Sequence, residues 1–195
     1  MLRLASETEV RWAEASVDDL PYLLVEQAHL EKKAAAAAIA FMFRYPDHLV
    51  LQEPLSELAR EELEHFELVL AAMRARGIEF VRQRPSTYAQ RLLEIVRPTE
   101  PEKLLDQMLC NAAVEARSCE RMMLLSRALR GIDDELADLY HGLVGSEARH
   151  HELYVDLAKR IVDPAEVEQR LQSVMQHEAE VVATAPSSPG LHNQR

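Results

Sequence analysis

Two copies of one short motif, Glu62-x-x-His65 and Glu147-x-x-His150, stand 85 residues apart, each in a segment whose apolar residues recur with helical period. A spacing of three puts carboxylate and imidazole on one helical face, within reach of a single ion. On a solvated face such a pair means little, so its register decides. Leu55, Leu58, Glu62, His65, Val69 and Ala72 follow at spacings of three and four, and Leu136, Leu143, Glu147, His150, Tyr154, Leu157 and Ile161 share one face in the same way. Both pairs lie on stripes meant for a core.

Two more carboxylates interrupt apolar stripes singly. Glu31 falls among Leu24, Ala28, Ala35, Ala38 and Met42, and Glu115 among Leu105, Met108, Ala112, Cys119, Met122 and Ser126. Their neighbours Glu26 and Glu120 are five residues away and so about 140° around the helix. Glu31 precedes Glu115 by 84 residues, so the chain carries the same set twice: a lone inward Glu, then an inward Glu-x-x-His. One Glu from each of two helices and a Glu-x-x-His from each of two others is the ligand pattern of ferritin-like di-iron and di-manganese carboxylate proteins. Four carboxylates converging in a core would repel one another and take up protons. Two divalent cations cancel their charge, and oxygen-rich ligands with some imidazole suit iron or manganese.

The rest of the chain agrees with an all-α domain. Glycine is scarce, with 5 among 195 residues, and 48% of the chain is hydrophobic. The first helix is expected from a capping box at Ser16-x-x-Asp19, through Pro21, to about Phe43, where Tyr45-Pro46-Asp47 ends it. A second spans about 53–76, closed by Gly77. Residues 78–101 form a long connection with a short helical piece after Ser86, and a link of this length marks a crossover between two helix pairs. Further helices cover about 102–129, 133–162 and 164–183. The predicted fold is therefore a ferritin-like four-helix bundle with an additional C-terminal helix and a long crossover between the second and third helices. It forms one domain over 1–184. Residues 1–15, with Trp12, read as an irregular arm, and the Pro- and Ser-containing stretch 185–195 as a disordered tail. His29, His48, His141, His151 and His177 read as surface groups or as neighbours of the metal site. Cys110 and Cys119, nine positions apart on one helix, cannot bridge each other and read as packing residues.

A net charge of −11 argues against a protein that coats nucleic acid. One local exception exists. Between residues 74 and 97, Arg74, Arg76, Arg82, Arg84, Arg91 and Arg97 face only Glu79 and Glu94, a local balance of +4. No apolar run is long enough to span a bilayer, and no signal-peptide layout is present, so a soluble, cytoplasmic protein is expected.

The strings AHLEKKAA around Glu31, REELEHF around Glu62 and His65, EARSCERM from Glu115 and SEARHHELY around Glu147 resemble the tRNA 2-methylthio-N6-isopentenyladenosine hydroxylase family over nearly all of residues 1–184. The resemblance implies an O2-dependent non-haem di-iron monooxygenase. Its substrate would be the isopentenyl group of 2-methylthio-N6-isopentenyladenosine beside the tRNA anticodon. It also implies two iron ions held by Glu31, Glu62, His65, Glu115, Glu147 and His150, O2 as co-substrate, and an electron-donor protein of ferredoxin kind. The anticodon arm is the expected partner, gripped by the six arginines with Phe80 and Tyr88 as stacking platforms; neither DNA nor a membrane is expected. Another protein on the same scaffold, a rubrerythrin-like peroxidase, a manganese catalase or a ferritin, is the alternative.

Overall fold

The computed structural model describes residues 2–84, 86–187 and 189–194. Among them the regular elements are helices: α1 (Val10–Val17), α2 (Leu20–Arg44), α3 (Leu49–Ala75), α4 (Tyr88–Leu92), α5 (Glu102–Ala128), α6 (Asp134–Lys159) and α7 (Pro164–Ala183), with a 3-10 turn at Leu93–Ile95. The all-α expectation is borne out, and so are the crossover after α3 and the additional helix α7. None of the described helices is long and apolar enough to cross a membrane. Contacts group the chain into two compact units, Asp19–Arg84 and Met1–Asp18 with Pro85–Arg195.

The first unit is the α2–α3 hairpin. Small residues Ala28, Ala35 and Ala38 on α2 and larger ones, Leu51, Leu55, Leu58, Val69 and Met73, on α3 are all buried. Alternating small and large side chains lets two helices approach closely. α3 starts at Leu49, four residues before the position expected, and accommodates Pro54. The proline removes one helical hydrogen bond, but Leu51 and Leu55, one turn apart, are fully buried, and that burial offsets the loss. Gly77 at φ +66° closes α3, with Ile78 N–H donating to the Met73 carbonyl at 3.0 Å. Only glycine adopts this backbone without strain, which is why the helix ends there. Residues 78–84 then fold back along the hairpin. Phe80 packs against His29 (ring centroids 4.6 Å) and Phe66 (5.8 Å), and the Gln83 side chain donates to the Tyr22 carbonyl.

In the second unit α5 is the axis, flanked by α1, α6 and α7. It is buried nearly all round, including Asp106, Arg117 and Arg121, so these charged groups must be satisfied by partners. Arg117 is bound by Glu178 of α7, by Glu120, and by Ser6 and Thr8 of the N-terminal arm. Asp106 receives two arginines, Arg97 from the crossover and Arg170 from α7. Cys110 and Cys119 are buried free thiols, as expected of packing residues; burial pushes them up to about 12 and about 11.

Two sequence expectations are corrected here. The N-terminal arm contains a helix, α1, which buries Trp12, Ala13 and Ser16. Ser16 does not cap the next helix; its hydroxyl donates back to the Trp12 carbonyl at 2.7 Å. The C-terminal stretch, expected to be disordered, is packed: Leu191, His192 and Asn193 are buried, and Arg121 donates to the Leu191 and Asn193 carbonyls at 2.5 and 2.8 Å. Composition argued for disorder because a polar segment buries little apolar surface by itself. Here a buried arginine on α5 supplies the donors, and Tyr88 supplies a ring that stacks on His192 at 4.3 Å.

Candidate metal centre

Each unit assembles one of the two candidate ligand sets. In the hairpin of α2 and α3, Glu31 comes from α2 and Glu62 and His65 from α3, and all three are buried. His65 Nδ1 lies 3.6 Å from Glu62 Oε2 and 3.9 Å from Glu31 Oε2. Neither separation is a hydrogen bond. Two ligands bound to one ion at about 2.1 Å each can stand up to about 4.2 Å apart, so both separations suit donors to a shared cation. In the second unit Glu115 of α5 and Glu147 and His150 of α6 are likewise buried, with one donor atom of each within 4.8 Å of the others. Each triad carries two carboxylates and one imidazole, so one divalent cation neutralises it. These buried acidic and histidine clusters fit a metal site.

Two further residues attend these triads, of which the sequence offers only His151. Gln27, one turn before Glu31, donates its side-chain amide to Glu31 Oε1. It lies on the stripe between Leu24 and Glu31, but an amide there reads as a core residue until its neighbour is known. His151, expected at the surface or beside the site, is fully buried, and its Nδ1 meets the Ala112 carbonyl at 2.8 Å. A carbonyl only accepts, so the proton sits on Nδ1. Burial pushes this histidine down from its ordinary value. It ties α6 to α5 one turn from Glu115 and next to His150.

The rival carboxylates take other roles. Glu120 accepts from the Thr8 hydroxyl at 2.7 Å and from Arg117 at 2.6 Å. Glu26 is buried on α2 but belongs to neither triad. Of the other histidines, His29 meets the Val81 carbonyl at 2.9 Å, His177 meets that of Arg91 at 3.0 Å, and His141 is exposed.

The six arginines divide. Arg74, Arg82 and Arg84 are exposed and carry no ion pair among the described residues. Arg76 donates to the Ala72 carbonyl. Arg91 is spent on the carbonyls of Val181 and Thr184, and Arg97 on both oxygens of Asp106. Tyr88, expected as a stacking platform, is buried, with its hydroxyl donating to Glu178 at 3.0 Å; it cannot meet a base. Phe80 is partly exposed, with one face covered by His29 and Lys32 Nζ 4.9 Å from its ring centre.

A family model described as tRNA-(MS[2]IO[6]A)-hydroxylase (MiaE) matches residues 2–193. The chain belongs to this family. The match runs on into the C-terminal stretch, beyond the limit expected from the sequence, in keeping with the packing of that stretch. A relative from Pseudomonas putida, the tRNA 2-(methylsulfanyl)-N(6)-isopentenyladenosine(37) hydroxylase, is 37% identical over 97% of this chain and 91% of its own length. The enzyme of the same name from Salmonella typhimurium is 36% identical over 71% of this chain and 62% of its own. Among solved structures, a Synechococcus protein with aldehyde deformylating oxygenase activity is 38% identical, with a TM-score of 0.90 over 97% of this chain and 95% of that one. The fold is thus ferritin-like, as expected, and the chain is an enzyme of the tRNA hydroxylase family.

Proposed function

We propose that Glu31, Glu62 and His65 hold one iron ion and Glu115, Glu147 and His150 a second, and that the pair serves O2-dependent hydroxylation of the isopentenyl group of 2-methylthio-N6-isopentenyladenosine in tRNA. The observation that carries this reading is the recurrence of one buried triad, two carboxylates and an imidazole, in two helix pairs of a chain that the tRNA hydroxylase family model matches over residues 2–193. When bound, two ferrous ions supply the electrons with which O2 attacks an unactivated C–H bond, chemistry that no side chain performs. The chain's part is to hold four carboxylates and two neutral imidazoles away from water, so that their donor atoms are committed before metal arrives. An electron donor, ferredoxin-like, must then renew the reduced state from outside. The setting is the cytoplasm, where tRNA is found. The exposed arginines Arg74, Arg82 and Arg84 are the part of the basic segment that remains available for the anticodon arm.

The test is a reconstituted reaction with Fe(II), an electron donor, labelled O2 and tRNA bearing the modified nucleoside. Gain of one labelled oxygen atom by that nucleoside is the expected result. The Synechococcus relative supplies the second reading: turnover of an aldehyde with the tRNA nucleoside unchanged would replace the proposal by deformylating oxygenase chemistry.

A further inference from the structure

Gln27 is 1% exposed, faces the interior one helical turn before Glu31, and donates its amide Nε2 to Glu31 Oε1. The orientation of the amide is fixed by its partner, since a carboxylate only accepts. The amide oxygen therefore points away, and it is buried with no hydrogen-bond partner among the described residues. Burying a primary amide with half its hydrogen-bonding capacity unmet is unfavourable, whereas leucine or methionine would fill the same space without that cost. The position is thus poor for packing alone. What the amide does accomplish is local: rotation about the last bond of a glutamate is otherwise broad, and the donated hydrogen bond selects one setting. In that setting Oε1 is occupied by Gln27, and Oε2 is the oxygen turned toward His65 Nδ1, 3.9 Å away.

We infer that Gln27 is a positioning residue for the metal centre, holding the Glu31 carboxylate so that Oε2 alone is presented to the ion. This rests on the assignment of Glu31, Glu62 and His65 as one half of the centre. Partners of this kind, one step removed from the ion, fix ligand orientation, and their loss weakens metal binding about 10- to 100-fold. The helix spacing also makes the arrangement rigid, because both residues lie on the same face of α2 and neither depends on a loop.

The experiment compares the wild-type chain with Gln27→Met, which keeps length and volume but removes the donor, and with Gln27→Asn, which keeps an amide but withdraws it by one methylene. Metal-free protein is titrated with Fe(II) against a competing chelator, and Co(II) is used in parallel for its ligand-field absorption. Wild type should take up two ions. Both variants should keep the helical circular dichroism of the metal-free protein yet bind one of the two ions about 10-fold more weakly or worse, with an altered Co(II) spectrum. Gln27→Glu, which sets two carboxylates against each other, should weaken that ion further. If Gln27→Met, or Gln27→Asn should the former not fold, binds both ions as wild type does with an unchanged Co(II) spectrum, Gln27 is only a core residue and the inference falls. A wild-type chain that takes up no Fe(II) would instead overturn the metal assignment itself, and this inference with it.

Discussion

Arg117 of α5 donates Nε and Nη2 to the two carboxylate oxygens of Glu178 on α7, at 2.9 and 2.8 Å, and both side chains are fully buried. Burial alone would push the guanidinium down, but the hydrogen bonds and charge of Glu178 outweigh it and hold Arg117 above its ordinary value. The same burial, with the charge of Glu178 beside it, pushes Tyr88 well up, so its hydroxyl stays a donor to Glu178 at any ordinary pH. Breaking a pair so enclosed leaves the buried guanidinium with Glu120 as its remaining carboxylate partner. Glu178→Ala should cost about 3 kcal/mol in chemical denaturation, the lower end for a broken buried pair. Iron bound per folded chain should be unchanged, because the pair lies outside both triads.

Glu115→Ala and His150→Ala should each lower bound iron from about two ions per chain to about one or fewer. Glu120→Ala, which removes a carboxylate on the same helix but on the Arg117 side, should keep full iron per folded chain. Elemental analysis of the purified variants decides this. Iron loss in Glu120→Ala together with retention in Glu115→Ala would refute the assignment.

Arg82→Glu with Arg84→Glu should weaken tRNA binding and make log Kd less dependent on log salt, by roughly 0.7–0.9 in slope for each phosphate that is no longer neutralised. Iron content should not move. Arg97→Glu, at a residue spent on Asp106, should act chiefly through stability. Unaltered tRNA affinity and salt slope in the double variant would place the RNA-binding surface elsewhere.

Asp106 is fully buried yet held below the usual carboxylate range: burial pushes it up, and hydrogen bonds from Arg97 and Arg170 more than reverse that. A depressed folded value means a stabilising contribution that is present at neutral pH and is lost as pH falls through the acid range. Asp106→Asn should therefore cost about 2–3 kcal/mol at pH 7, somewhat less than a wholly buried pair because both arginines keep access to water. Its stability should also change less than wild type's below about pH 5. Denaturation curves at several pH values are the check, and equal acid sensitivity in both proteins would contradict this account.

Leu191→Ala should cost about 2–3 kcal/mol, since the side chain is fully buried. Removal of everything after Ser187 should cost more, because Arg121 then loses its two carbonyl acceptors. Burial and neighbouring Arg117 already push Arg121 down to about 10, so it has little tolerance for losing partners. Melting temperatures lower by roughly 5–10 °C would fit. An unshifted melt would mean that the stretch contributes nothing to the fold.

The register of Glu31, Glu62, His65, Glu115, Glu147 and His150 was settled by the sequence alone. Helical period is a local property, and a charged residue embedded among leucines and alanines at spacings of three and four has only one face to occupy. Helix ends marked by Pro46, Gly77 and Asp163 were legible for the same local reason. What no local pattern carries is the partner of a side chain supplied by a distant element. Arg97 reads as a free cation until Asp106 and Arg170 are beside it, Tyr88 as an open ring until His192 and Glu178 cover it, and the C-terminal stretch as disordered until Arg121 offers its donors. Gln27 belongs with these, since an amide on a core stripe acquires a role only when the carboxylate it meets is a candidate ligand. Those pairings are decided by which helices pack together, because burial, and with it the strength of every charge and hydrogen bond, is fixed only when the chain is folded.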